Sequence, residues 1–147
     1  MIQLRFLIER GIEAAIIRKV TRSPYSHVDI VMPNGFLASY DPKGVQLYPL
    51  DYIKPIRADI GTVACNDAQT AAILAWAQSK VGKAGYDYAA IFGDLFMQDW
   101  TQKGTFDCSA YVQCACLAGN FPLLKLNYTK WVNPGQLASS PLISWNK

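Results

Sequence analysis

Tyr25-Ser26-His27-Val28-Asp29-Ile30-Val31-Met32-Pro33-Asn34-Gly35-Phe36-Leu37-Ala38-Ser39-Tyr40-Asp41-Pro42-Lys43-Gly44-Val45-Gln46-Leu47 is the stretch whose reading decides the fold. His27 to Met32 alternates. Val28, Ile30 and Met32 lie on one face of a strand, His27, Asp29 and Val31 on the other. Pro33-Asn34-Gly35 is a turn signal, and Phe36 to Tyr40 returns as a second strand. Asp41-Pro42-Lys43-Gly44 turns the chain again, and Val45 to Leu47 begins a third. The pattern predicts an antiparallel meander.

Outward from this meander, Ile2 to Ile8 alternates as a first strand. Gly11 to Val20 carries apolar residues at Ile12, Ala15, Ile16 and Val20, the stripe of a short amphipathic helix ended by Thr21, Ser23 and Pro24. Ile60 to Ala64 adds a strand. Asn66 or Asp67 caps a helix running to about Lys80, and Gly82 follows as its stop. Tyr88 to Gln98 reads as a helix weakened by Gly93. Asp107 to Ala118 is a helix closed by Gly119-Asn120. The tail, with Asn133-Pro134-Gly135 and Ser140-Pro141, reads as loop or short strand. A sheet region precedes the helices, so the class is α+β, an antiparallel sheet packed against helices. No repeat, low-complexity tract or linker divides the chain, so residues 1–147 read as one domain.

Composition excludes several classes. Hydrophobic residues make up 51% and charged residues 17%, below the roughly 25% charge of an average soluble domain. Disorder does not fit this balance. A net charge of +3, spread thinly, excludes a nucleic-acid binder driven by bulk charge. The longest charge-free internal run, Ser109 to Leu124, is broken by Gly119, Asn120 and Pro122, so no integral membrane segment is expected. Arg5, Glu9 and Arg10 interrupt any secretory signal. The expected location is the cytoplasm, or export without a cleaved signal.

The chemistry centres on cysteine and histidine. Of Cys65, Cys108, Cys114 and Cys116, only Cys108 opens a helix. Unpaired backbone N–H groups and the positive dipole end stabilise a thiolate there, and the same groups can hold an oxyanion. Cys108, Tyr111, Val112 and Ala115 also follow core spacing, and core packing is the reading for Cys65, Cys114 and Cys116. Zinc is a poor fit: there is one histidine and no C-x-x-C pair. His27 is therefore the single imidazole able to serve as general base to a thiol. A third group would orient it. Asp29 shares its strand face. Ser39 and Asp41 lie beside it if the hairpin loop has an odd count, Ala38 and Tyr40 if the count is even. Asp41 equally suits plain turn chemistry before Pro42.

Ser26-His27-Val28 on a strand, the hairpin and Gly44-Val45 in a third strand resemble the start of the circularly permuted NlpC-like cysteine peptidases. Gly82-Lys83-Ala84-Gly85-Tyr86-Asp87-Tyr88 resembles that family's Gly-x-x-Tyr-Asp-Tyr stretch. Phe106-Asp107-Cys108-Ser109 resembles its nucleophile motif. Asn133-Pro134-Gly135-Gln136-Leu137, followed by Ser140-Pro141-Leu142, resembles its C-terminal segment. Together these run from Ile2 to Ile143. Ordinary papain-like enzymes place Cys before His; here His27 precedes Cys108, the permuted order shared with the lecithin:retinol acyltransferase-like enzymes.

The resemblance implies a permuted papain-like fold, Cys108 as nucleophile, His27 as base and Tyr86 near the thiol as an oxyanion ligand. Where the family carries Glu, His, Asn or Gln on the strand after the histidine, this chain offers only Ser39, with Asp41 or Asp29 as substitutes. The implied activity is a cysteine hydrolase cleaving an amide bond in a peptide or peptidoglycan stem, so the expected partner is a peptide or muropeptide. No metal or organic cofactor is required. The alternatives are a lipid acyltransferase or thioesterase on the same dyad, and a non-catalytic module of a larger assembly such as a phage particle.

Overall fold

The strand pattern closes into one antiparallel sheet in the computed structural model, which describes residues 1–83, 107–125 and 132–145. Six strands are seen among them: β1 (Ile2–Ile8), β2 (His27–Val31), β3 (Phe36–Asp41), β4 (Gly44–Pro49), β5 (Arg57–Val63) and β6 (Ile143–Trp145). Their order is β4-β3-β2-β1-β5-β6. The α+β class and the antiparallel sheet stand as expected. The helix expected over Tyr88 to Gln98 lies outside the described residues, as does Tyr86.

Register follows from the loop between β2 and β3. The Met32 N–H donates to the Phe36 carbonyl at 2.8 Å. Three residues, Pro33, Asn34 and Gly35, therefore form the loop, and Gly35 takes a positive φ of 79°, which a side chain resists. The odd count pairs Ile30 with Ala38 and Val31 with Leu37. β1 then sets Arg5 opposite Asp29 and Leu7 opposite His27.

Leu4, Phe6, Val28, Ile30, Ala38, Tyr40 and Val45 form the apolar core with two helices. These are α2 (Asp67–Ser79) and α3 (Asp107–Ala118). Asn66 caps α2 through a capping box with Gln69, satisfying two N–H groups that would otherwise be orphaned. α3 packs against α2, β2 and β3, and its buried Tyr111 hydroxyl donates to the Ala77 carbonyl at 2.9 Å. At Gly119 the helices come so close that a Cβ would fall 2.9 Å from the Gln69 carbonyl oxygen. The sheet thus holds the start of α3 near the start of β2.

Two features depart from the expected pattern. α1 (Ile12–Thr21) is a helix, but its apolar stripe does not face the core. Ile12 is 80% exposed, Ile16 54% and Val20 71%. The small Ala14 is its buried residue, and Arg18 turns back to donate to the Glu9 carbonyl at 2.8 Å. Hydrophobic periodicity marks a helix face but carries no information about whether the tertiary structure covers it. The tail contains a further helix, α4 (Pro134–Ala138), with Asn133 and Gln136 in a second capping box. Its signal was legible: N-cap Asn, Pro at the first helical position, Gln two residues later. Among the described residues no helix is long and apolar enough to cross a membrane.

Candidate active site

His27 opens β2, and its ring is almost enclosed. Nε2 lies 2.7 Å from Asp29 Oδ1 and 2.9 Å from Ser39 Oγ. An ionised carboxylate only accepts, so Nε2 carries the proton and donates to Asp29. That leaves Nδ1 as the nitrogen free for a further partner. The Cys108 side chain lies near enough to the ring to help raise the His27 pKa. Cys108 is the second residue of α3 and keeps 7% exposure. Its backbone N–H lies in the first turn, where helical geometry supplies no acceptor.

Electrostatics at this cluster are strongly coupled. Burial by itself pushes the His27 pKa down. The charges of Asp29 and Cys108 and their hydrogen bonds outweigh it, and the imidazole is held well above its ordinary range. Burial likewise pushes the Asp29 carboxyl up. The His27 charge, hydrogen bonds from His27 and Ser39, and the Arg5 charge overcome that, and the carboxyl sits below its usual value. The cluster therefore favours a protonated imidazole on an ionised carboxylate.

Two of the three candidate orienting groups, Asp29 on β2 and Ser39 on β3, reach the imidazole. Asp29 is the primary partner. Ser39 supports it from the neighbouring strand, 2.9 Å from Nε2, and helps hold the Asp29 carboxyl below its usual value. Asp41 does not take part in the hydrogen bonding at the imidazole: it accepts from the Lys43 N–H at 2.7 Å and from the Tyr48 hydroxyl, the turn chemistry that its position before Pro42 allowed.

Two residues escaped sequence reasoning. Arg5 is buried on β1. Its Nε and Nη2 donate to Asp29 Oδ2 at 3.1 and 2.9 Å, and its Nη1 to the Leu50 carbonyl at 2.6 Å. Tyr52 lies over the guanidinium, 5.2 Å from ring centroid to Cζ. The only sequence signal for Arg5 was a charge inside an otherwise apolar strand. Tyr52 gave none.

The other thiols are separate from this cluster. Cys65, Cys114 and Cys116 are buried and free. Burial first, then a neighbouring thiol, pushes both Cys114 and Cys116 upward, which makes them poor nucleophiles. Among the described residues no group of three His, Cys, Asp or Glu side chains is placed to hold a metal ion.

The shifts at His27 and Asp29 predict a pH dependence of folding stability. The raised His27 value contributes stability in full below the unfolded value of 6.5, and that contribution is lost as pH rises through the folded value. The lowered Asp29 value contributes above 3.8 and is lost as pH falls through its folded value. The pair is worth most between these limits. Melting temperature should therefore fall as pH rises above 6.5, and His27→Gln should flatten that fall. Identical slopes in the two proteins would contradict the assignment.

No family model matches the chain, and no curated protein matches it. Among solved structures it is similar to the crystal structure of the metalloprotein YiiX from Escherichia coli O157:H7, a DUF1105 protein. The TM-score is 0.70 at 18% sequence identity, covering 99% of this chain and 94% of that one. At that identity the two share an overall fold.

Proposed function

We propose that the chain is a cysteine hydrolase of permuted NlpC-like, papain-type architecture that cleaves an amide bond in a peptide or peptidoglycan stem. One observation carries the reading. The single imidazole of the chain donates through Nε2 to a buried carboxylate, and a thiol at the first turn of a helix is near enough to help raise the pKa of that ring. This is the nucleophile, base and orienting group of covalent acyl transfer.

In this mechanism the Cys108 thiolate adds to the substrate carbonyl carbon. The negative charge moves to the carbonyl oxygen, where the Cys108 N–H stabilises it. By the family resemblance Tyr86 is a second oxyanion ligand. The tetrahedral species collapses as the His27 imidazolium gives its proton to the leaving amine, and a thioester remains on Cys108. The neutral His27 then takes a proton from water, the hydroxide adds to the thioester, and collapse frees the acid and the thiolate. Asp29 and Ser39 keep the ring in one tautomer throughout.

Iodoacetamide labelling across a pH series, mapped to each cysteine by mass spectrometry, tests the pair. Cys108 should label fast at about pH 6. His27→Ala should slow it at that pH by about tenfold or more. Cys114 and Cys116 should stay unlabelled in the folded protein. A wild-type Cys108 with the profile of an ordinary thiol would remove the hydrolase reading and favour a non-catalytic module.

A second reading, acyl transfer from a lipid ester on the same dyad, draws support from the outward stripe of Ile12, Ile16 and Val20. Muropeptide and acyl-ester panels separate the two. The YiiX structure is that of a metalloprotein; among the described residues of this chain no group of three His, Cys, Asp or Glu side chains is placed to hold a metal. Asp29 already accepts from His27 and Arg5, so no step is assigned to a metal.

A further inference from the structure

We propose that Arg5 is a positioning residue for the His27–Cys108 pair: its guanidinium clamps one oxygen of Asp29, so that the other points at His27 Nε2 and the far side of the ring turns to the thiol. The inference rests on the hydrolase reading and extends it to a residue whose own hydrogen bonds go to Asp29 and to Leu50.

The geometry is specific. An arginine facing a carboxylate commonly bonds both oxygens in parallel. Here Nε and Nη2 converge on Oδ2 alone, at 3.1 and 2.9 Å. Oδ1 is left for the imidazole at 2.7 Å. Arg5 is held in turn by the Leu50 carbonyl and by the Tyr52 ring. Register places Arg5 directly across from Asp29, and Leu7 across from His27. Among the described residues, the polar and charged groups facing Asp29 and His27 come from four other segments: Arg5 on β1, Ser39 on β3, Tyr52 after β4 and Cys108 on α3. A carboxylate without the clamp would rotate about its Cβ–Cγ bond, and the imidazole would lose its fixed acceptor.

A competing role makes the opposite prediction. If Arg5 acted only as a nearby positive charge, its removal would strengthen the hold of Asp29 on the imidazolium and raise the His27 titration midpoint. If Arg5 positions Asp29, removal frees the carboxylate and the midpoint falls.

His27 is the only histidine, so nitrogen NMR of histidine-labelled full-length protein reads its protonation and tautomer without assignment. Arg5→Met should lower the midpoint by about one pH unit or more and slow Cys108 labelling at about pH 6 by about tenfold. Arg5→Lys keeps the charge without the fork, and should fall between Arg5→Met and wild type in both readouts. A higher midpoint, or unchanged labelling in a folded Arg5→Met protein, overturns the proposal. Should Arg5→Met fail to fold, Arg5→Lys decides: wild-type midpoint and labelling in that variant also overturn it. The hydrolase reading fails separately, if Cys108→Ala leaves the wild-type His27 midpoint unmoved. The histidine signal of the Arg5 variants then still decides whether Arg5 orients Asp29.

Discussion

Asp29→Ala is expected to lower folding stability by about 3–5 kcal/mol. The loss comes from what remains, since Arg5 stays buried after its carboxylate partner is removed. Its guanidinium keeps the Leu50 carbonyl and the Tyr52 ring, neither of which carries a compensating charge. Ser39 and His27 lose an acceptor at the same time. Urea unfolding followed by circular dichroism should show a lower midpoint with an unchanged slope. The double replacement Arg5→Met with Asp29→Leu should recover more than half of the loss, because an apolar pair has no charge to desolvate. That double variant should still label slowly at Cys108, since its imidazole has no carboxylate. A single-variant cost under about 1 kcal/mol would mean that the pair behaves like an exposed one and that the buried network is drawn wrongly.

Cys108→Ala should abolish turnover of any true substrate. Removing a covalent nucleophile from an acyl-transfer site costs on the order of 10^3-fold to 10^6-fold in rate. His27→Ala should cost a comparable factor, and the double variant should be little worse than either, because the two act as one unit. Cys108→Ala removes only a sulfur from a buried position at a helix start, so the protein is expected to stay folded. A mass shift of one acyl group on Cys108 after incubation with an activated ester, absent in Cys108→Ala, would establish the thioester directly. Activity that survives Cys108→Ala would exclude the thioester mechanism, whatever the substrate.

Much of the site was legible in the linear chain. A lone histidine and a cysteine at a helix start were visible as residue types in local contexts. The meander was visible because side chains alternate along a strand, and Asn66 as a cap because its signal spans four residues. The orienting group was narrower: Asp29, Ser39 and Asp41 all stood open. The loop count between β2 and β3 decides only whether Ser39 and Asp41, or Ala38 and Tyr40, share the face of His27; Asp41 drops out because the Lys43 N–H and the Tyr48 hydroxyl take its carboxylate. The Met32–Phe36 hydrogen bond settles that count at three residues.

Arg5 and Tyr52 belong to a different category. Arg5 meets Asp29 only because β1 pairs with β2 in one particular register, and Tyr52 covers it only because the segment after β4 folds over the sheet. The outward stripe of Ile12, Ile16 and Val20 on α1 is likewise a matter of tertiary packing that periodicity does not show. Local pattern and propensity act over a few residues and are enough to specify strands, caps and the placement of a thiol at a helix start. Buried charges must find partners far along the chain. Which ones they find depends on strand pairing and packing, and those exist only once the whole sheet has closed.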